Sequence, residues 1–329
     1  MKTKILLIIC LSLVFIAGLV SGTAYYSINK KDSETKAERM KGYKYISPLF
    51  DYEISPELKN RVVITLKDQI KKIIDDKIED NQAIYVSVYF RDMFNGPWFG
   101  INEQDGFAPA SLLKVPVMIA YLKCAEQNPE ILKTNLMYEK EIDDHISQNI
   151  LPDKKLEPGK AYKVEDLIER MIKYSDNTAK TLLFAYIGED TIDKIYTDMG
   201  LVVPGIRNKN DLITIKNYST FFRVLFNASY LNREMSEKAL EILSKTTFKL
   251  GIEAGVPKDV VVAHKFAERG DLVTNTMQVH DCGIVYYKDR PYLLCVMTYG
   301  RDFKTLSNII KDISSVVYEK MESSYNDYK

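Results

Sequence analysis

The chain has 329 residues, 46% hydrophobic and 27% charged, a composition that excludes disordered and fibrous classes and leaves room for one large domain or two smaller ones. Its 45 basic and 45 acidic residues cancel, so no broad electropositive face for nucleic acid is expected. Three scattered histidines and four cysteines without a CxxC pair exclude a recognisable metal site, and no cofactor is implied.

The N-terminus carries Lys2 and Lys4 ahead of an uncharged apolar run from Ile5 to about Ala24. Such a run crosses a bilayer as a helix or serves as a signal peptide, with Gly22 and Ala24 at the spacing a signal peptidase reads. Residues 1–28 are therefore expected to be a signal peptide or membrane anchor, and Cys10 lies too early in the run for lipid attachment. Export follows, to the extracytoplasmic face of the cell membrane or, after cleavage, to the medium. Residues 29–55 read as a polar tether, and 56–329 as the folded domain.

In that domain Leu58, Val62, Val63, Leu66, Ile70, Ile73 and Ile74 recur at helical spacing. The next segment, AIYVSVYF, has the β-branched and aromatic content of a strand. From about 111 to 250 the pattern is helical, broken at QNPE, LEPGKAY and VVPGIRNKND. Strand signals return in DVVVAHKFA, MQVHDCGIVYY and PYLLCVMTYG, the last two forming a hairpin. A final amphipathic helix aligns Phe303, Leu306, Ile309, Ile310, Ile313 and Val316. The order predicts an α+β fold: an antiparallel sheet covered by the N- and C-terminal helices, with an inserted all-helical lobe.

Chemistry is suggested first by FAPASLLK, in which Ser111 and Lys114 stand one turn apart at a helix start. Ser27 with Lys30 and Ser33 with Lys36 have the same spacing, but only Ser111 sits where free backbone N–H groups favour developing negative charge. A serine hydroxyl needs a base to take its proton, and burial beside a second cation would push a lysine toward its neutral form. A capping serine followed by a snorkelling lysine is the plainer reading of these residues alone. Downstream, Ser175-Asp176-Asn177 falls between two helical patterns, where a turn would place Ser175 as a proton shuttle and Asn177 as an amide orienting Lys114. Lys265 follows on a strand.

Taken in order, SLLK, SDN and the segment at Lys265 resemble the motifs of the penicillin-recognising serine enzymes, in particular the class A β-lactamase-like family, over roughly residues 57–322. The resemblance implies a β-lactamase/transpeptidase-like fold and a β-lactam or peptidoglycan-type small substrate handled by a monomer. It implies Ser111 as the acylated nucleophile, Lys114 as its base, Ser175 as relay, Asn177 as a contact to substrate and lysine, and Lys265 as the residue keeping the site electropositive. It places substrate along Phe266, Ala267 and Glu268, with the Ser111 and Glu268 N–H groups forming an oxyanion hole.

Two departures stand out. Lys265-Phe266-Ala267 replaces the family's K-T-G or K-S-G, removing a hydroxyl that binds the substrate carboxylate in the family. Arg269 and Arg301 could replace that contact but read as surface residues. The E-x-x-L-N segment that supplies the deacylating glutamate in class A enzymes is absent, and Asp211, the one carboxylate of GLVVPGIRNKNDLIT, reads as a helix cap. Without a base to activate water, slow deacylation is expected.

A Ser111–His280–Asp281 triad is disfavoured because adjacent strand residues point to opposite faces. His280 and Asp281 instead read as closing a strand and capping a loop, His145 as a surface residue, and His264 as facing away from Lys265. Cys282 and Cys295 fall on adjacent strands and could meet, but with Cys124 they read first as small buried apolar residues. The alternative function is a catalytically impaired, membrane-tethered module that binds peptidoglycan fragments or a protein partner.

Overall fold

The computed structural model describes residues 38–39, 42–51, 61–93, 96–141, 149–201, 212–288 and 290–326. Residues 1–28, most of the expected tether, His145 and Asp211 lie outside the described residues, as do the Ser27/Lys30 and Ser33/Lys36 pairs. Among the described residues no helix is long and apolar enough to cross a membrane.

The chain enters the domain with α1, Arg61–Glu79, then β1, Tyr85–Asp92, and β2, Trp98–Ile101. Six helices follow: α2 (Lys114–Ala125), α3 (Val164–Lys173), α4 (Asn177–Ile187), α5 (Glu189–Asp198), α6 (Ile215–Phe226) and α7 (Arg233–Ser244). Strands β3 (Val262–Asp271), β4 (Thr276–Val285) and β5 (Tyr292–Gly300) precede α8, Phe303–Asn326. The sheet is antiparallel with order β2-β1-β5-β4-β3, so the last strands to be made fill the middle and β3 forms one edge.

Alternating side chains feed two cores. On one face, Val86, Val88, Leu294 and Val296 meet Leu66, Ile70 and Ile74 of α1 and Leu306, Ile309, Ile310 and Ile313 of α8. Full burial contributes roughly 1.5–3 kcal/mol for each such side chain, which is why the two terminal helices clamp one sheet face. On the other face Tyr89, Leu293 and Met297 join the lobe's core, including most of α2. That helix is apolar around its circumference because it runs through the lobe's centre.

The lobe is helical but for short strand pairs. Asn135–Tyr138 pairs with Lys160–Lys163, and its first strand alternates exposed and buried side chains, a two-residue period hidden between the QNPE and LEPGKAY breaks. Gly106–Phe107 pairs with Ile213–Thr214, tying the approach to Ser111 to the start of α6.

Residues 44–47, read as tether, are docked on the domain. The Glu237 carboxylate on α7 accepts the N–H groups of Lys44, Tyr45 and Ile46, and Tyr45 and Ile46 are buried. Cys282 and Cys295 are buried as expected, face each other across β4 and β5, and form a disulfide rather than only packing. Cys124 is a free thiol, half-buried, on α2.

Candidate active site

Ser111 lies in a 3-10 turn, Ala110–Leu113, that runs directly into α2 at Lys114. Three contacts hold this turn. The Ala108 N–H donates to Gln278 Oε1 at 3.1 Å, His280 Nε2 lies 3.2 Å from the Ala108 carbonyl, and Tyr218 donates to the Leu112 carbonyl at 3.2 Å. Ala110 takes a positive φ of 46°, a strained conformation for a residue with a Cβ, at the point where the chain turns to present Ser111.

Lys114 is buried, and its amine is the hub of the site. Nζ lies 2.9 Å from Ser111 Oγ and 3.0 Å from Ser175 Oγ, and it donates to the Ser175 carbonyl and to Asn177 Oδ1, each at 2.7 Å. Ser175 reaches this point from the corner between α3 and α4 by adopting a φ of 55°. The corner is built from its own sequence: Asp176 caps α4 by accepting the Ala179 N–H at 3.0 Å, and Arg170 on α3 pairs with the same carboxylate at 2.9 Å. A cap of this kind stabilises by about 1 kcal/mol, and the buried carboxylate requires its cation.

Lys265 closes the far side. Its Nζ lies 3.1 Å from Ser175 Oγ and donates to the Phe266 carbonyl at 2.7 Å. Burial pulls this amine down to about 7, against the opposing fields of Asp281 and Glu268. Ser111, Lys114, Ser175, Asn177 and Lys265 thus converge from α2, the α3–α4 corner and β3 on one small polar cluster.

The remaining predicted residues behave differently. The Phe266 ring is buried, stacks on Phe248 with centroids 4.3 Å apart, and lies 4.1 Å from the Lys265 ammonium. Ala267 is packed in the lobe-side core opposite His280. Neither side chain is offered to a ligand, because both faces of β3 are covered at this level. The edge is not. Backbone groups alternate sides along an antiparallel strand, and here the His264 carbonyl accepts from Thr246 while the Phe266 carbonyl accepts from Lys265, both on the side away from β4. By the same alternation the Glu268 N–H lies on that open edge.

Behind β3, His264 Nδ1 donates to Asp281 Oδ1 at 2.8 Å and Nε2 lies 3.4 Å from Glu253. Burial alone would lower this imidazole, but Asp281 and Glu253 outweigh it and raise it to about 9, so the imidazole is charged at neutral pH. Asp281 also accepts the Ile252 N–H at 2.9 Å, and a Cβ at Gly251 would collide with its carboxylate, so only glycine lets the loop approach. His280, on the opposite face, is held by burial down to about 4 and is neutral. His280 and Asp281 therefore sit mid-strand on separate faces rather than closing the strand as expected, and no triad forms with Ser111.

Residues missed from sequence are Arg170, Thr246 and the carboxylate of Glu268, which accepts from Asn149 N and Nδ2 at 2.8 and 2.5 Å and from Ile150 N at 3.1 Å. No helical or strand spacing links Glu268 to Asn149, 119 positions away, so no local signal marked the pair.

Comparison with known proteins supplies the family. Residues 65–321 match the model of the Beta-lactamase enzyme family. The chain belongs to the beta-lactamase family. Beta-lactamases OXY-2 and OXY-1 of Klebsiella oxytoca are 25% and 24% identical to it over 235 residues, 66% of this chain and 77% of each relative. A PBP-A mutant solved as an acyl-enzyme complex with penicillin G superposes with a TM-score of 0.67 at 21% identity, covering 79% of this chain and 97% of that one. An ancestral class A beta-lactamase gives 0.66 at 20%, covering 77% and 99%. Within this beta-lactamase family, the fold is the expected α+β arrangement, and the third motif, as Lys265-Phe266-Ala267, is where this chain departs from K-T-G.

Proposed function

We propose that this beta-lactamase-family serine hydrolase is exported, acts as a monomer, and is acylated at Ser111 by a β-lactam or related amide, forming an acyl-enzyme that hydrolyses slowly. The observation that carries the reading is the buried Lys114 amine 2.9 Å from Ser111 Oγ. Two of its neighbours, the Ser175 carbonyl and Asn177 Oδ1, can only accept. A neutral amine satisfies both with its two N–H groups and keeps a lone pair for the Ser111 hydroxyl proton.

In the acylation step Ser111 Oγ attacks the substrate carbonyl carbon as its proton moves to Lys114. The oxyanion accepts from the Ser111 and Glu268 N–H groups, an arrangement worth roughly 2.7–4 kcal/mol per donor in serine hydrolases. As the C–N bond breaks, the proton returns through the Ser175 hydroxyl to the leaving nitrogen. Lys265, against the same hydroxyl, sets its orientation. The PBP-A neighbour captured with penicillin G supports a β-lactam as acyl donor. The missing E-x-x-L-N glutamate supports slow release of the acyl group. The apolar run from Ile5 to about Ala24 supports placement outside the cytoplasm, anchored or released.

Incubation with a fluorescent penicillin, followed by intact-protein mass spectrometry over time, tests the reading. A persistent adduct that disappears in Ser111→Ala supports it. Absence of any adduct on the wild type refutes it and favours a module that binds peptidoglycan fragments or a partner without chemistry.

A further inference from the structure

The docked residues 44–47 and the Ser111 turn lie at opposite ends of the sheet. The Tyr286 hydroxyl, just past the end of β4, donates to the Tyr45 carbonyl at 2.9 Å, and the Ser47 N–H donates to the Phe226 carbonyl at the end of α6 at 2.8 Å. Gln278, which holds Ala108 ahead of Ser111, stands near the start of the same strand, and an extended chain of that length separates the two ends by about 25 Å. Val285, Tyr292 and Asp92 are in register across the sheet, so Arg91 and its partner Trp98 stand at the end that holds residues 44–47.

At that end three cations gather around the one tryptophan of the chain. Trp98 is 42% exposed, with the Tyr89 ring stacked on it at 5.7 Å and Lys216 Nζ of α6 4.9 Å from its centroid. Burial, and then the neighbouring Arg91, lower the Arg223 guanidinium from its ordinary range, while Tyr89 beside it favours the charge. Two guanidiniums of like sign thus share one corner. Among the described residues no carboxylate forms an ion pair with Arg91, Lys216 or Arg223. Glu103, whose stem lies over Gly100 of β2, is the nearby negative group and leaves the corner positive. Asp92 is paired with Arg290, Asp105 is bonded to Tyr85 at the far end of β1, and Glu237 and Glu241 lie by Lys44.

We propose, building on the reading that the apolar run from Ile5 to about Ala24 stays in the membrane as an anchor, that this corner docks on an anionic lipid surface, with Trp98 at the headgroup level and Arg91, Lys216 and Arg223 against lipid phosphates. Chain length supplies the occupant. Residues 29–37 separate the expected anchor from Glu38 and span at most about 30 Å, so the end of the sheet that binds residues 44–47 is the end delivered to the bilayer. Charge complements it: residues 29–44 carry six basic and three acidic side chains, the same sign as the corner. Clustered basic groups beside an anchor are drawn to anionic lipid, guanidinium matches phosphate in shape, and a tryptophan with one edge in water suits the membrane interface. Docking there holds the Ser111 end of the sheet outward from the bilayer.

The test uses the full-length protein reconstituted into vesicles of phosphatidylcholine, with or without about one third phosphatidylglycerol, and containing a lipid with a nitroxide on its headgroup. Because Trp98 is the one tryptophan, its fluorescence reports the corner directly. Quenching by the nitroxide is expected on the anionic vesicles, weak quenching on the neutral ones, and loss of the difference as salt is raised toward about 1 M. Arg91→Gln and Arg223→Gln, checked for folding by thermal unfolding, should each weaken docking about fivefold, the loss of one basic group at a lipid surface. If either variant fails to fold, the lipid and salt dependence of the wild type decides alone. Equal quenching on both vesicle types, or quenching unchanged in the folded variants, would overturn the docking. Inorganic phosphate that shifts Trp98 emission in the absence of vesicles, with no quenching on the anionic ones, would show a small-anion site and overturn it too. Protein that does not float with either kind of vesicle would instead overturn the anchored placement, and this inference with it.

Discussion

Replacing Lys114 with methionine separates the two demands that this buried amine meets. Methionine matches the stem in shape and volume but leaves the Ser175 carbonyl and Asn177 Oδ1 without the donor that now lies 2.7 Å from each. An unmet buried acceptor costs about 1–3 kcal/mol. Two of them set the upper side of the effect, and release from the desolvation of the amine itself offsets part of it. A net loss of about 1–3 kcal/mol is expected, lowering Tm by roughly 2–10 °C in a domain of this size. Acylation should fall much further, by about a thousandfold, because a positioned general base contributes roughly 10²–10⁴. Lys114→Arg distinguishes the two demands. A guanidinium still donates to both acceptors but does not lose its proton, so part of the stability should return and none of the reactivity. Stopped-flow or mass-spectrometric acylation rates, measured alongside thermal unfolding, check both. Labelling of either variant within about tenfold of wild type would refute Lys114 as the base.

Two further outcomes follow from groups around this centre. Burial holds Lys265 at about 7 against an ordinary 10.5, so the unfolded chain binds more protons between those values and this residue's contribution to stability rises with pH through that window. His264, raised from 6.5 to about 9, works the other way: its contribution is complete below 6.5 and is lost as pH climbs through about 9. Wild type should therefore gain stability relative to Lys265→Met from pH 7 upward, and a Tm difference that stays flat across pH would refute the perturbed amine. At the N-terminal end, Glu237→Ala removes the acceptor of the Lys44, Tyr45 and Ile46 N–H groups. A loss of about 1.5–3 kcal/mol is expected, with new protease cleavage near residue 44, and unchanged proteolysis would show that Tyr45 and Ile46 are held by packing alone.

The fold was legible because its periodicities are strong. The terminal helices carry their apolar stripes at helical spacing, and the late strands are rich in apolar, aromatic and β-branched residues, so one face of the sheet is assignable from the sequence. The short Asn135–Tyr138 strand was not legible, since four residues of alternation weigh little inside a long helical stretch. Tyr45 and Ile46 were hidden for a different reason: their binding site is a glutamate nearly two hundred positions away, and the short segment YKYISPLF that carries them is too brief to show a helical or strand period.

The site divides in the same way, along the line between what a motif records and what a fold brings together. Ser111 and Lys114 are one turn apart, and Ser175 and Asn177 flank a cap, so the spacing itself encodes their neighbourhood. The substitution of threonine or serine by Phe266 was visible too, but its consequence was not. The resemblance placed substrate along Phe266 without its hydroxyl, whereas the fold turns that ring onto Phe248 and beside the Lys265 amine. What β3 exposes is its backbone edge and, three residues after the lysine, the carboxylate of Glu268. Each motif is thus local in sequence, whereas the meeting of Ser111 and Lys114 with Ser175 and Lys265 is made by the fold.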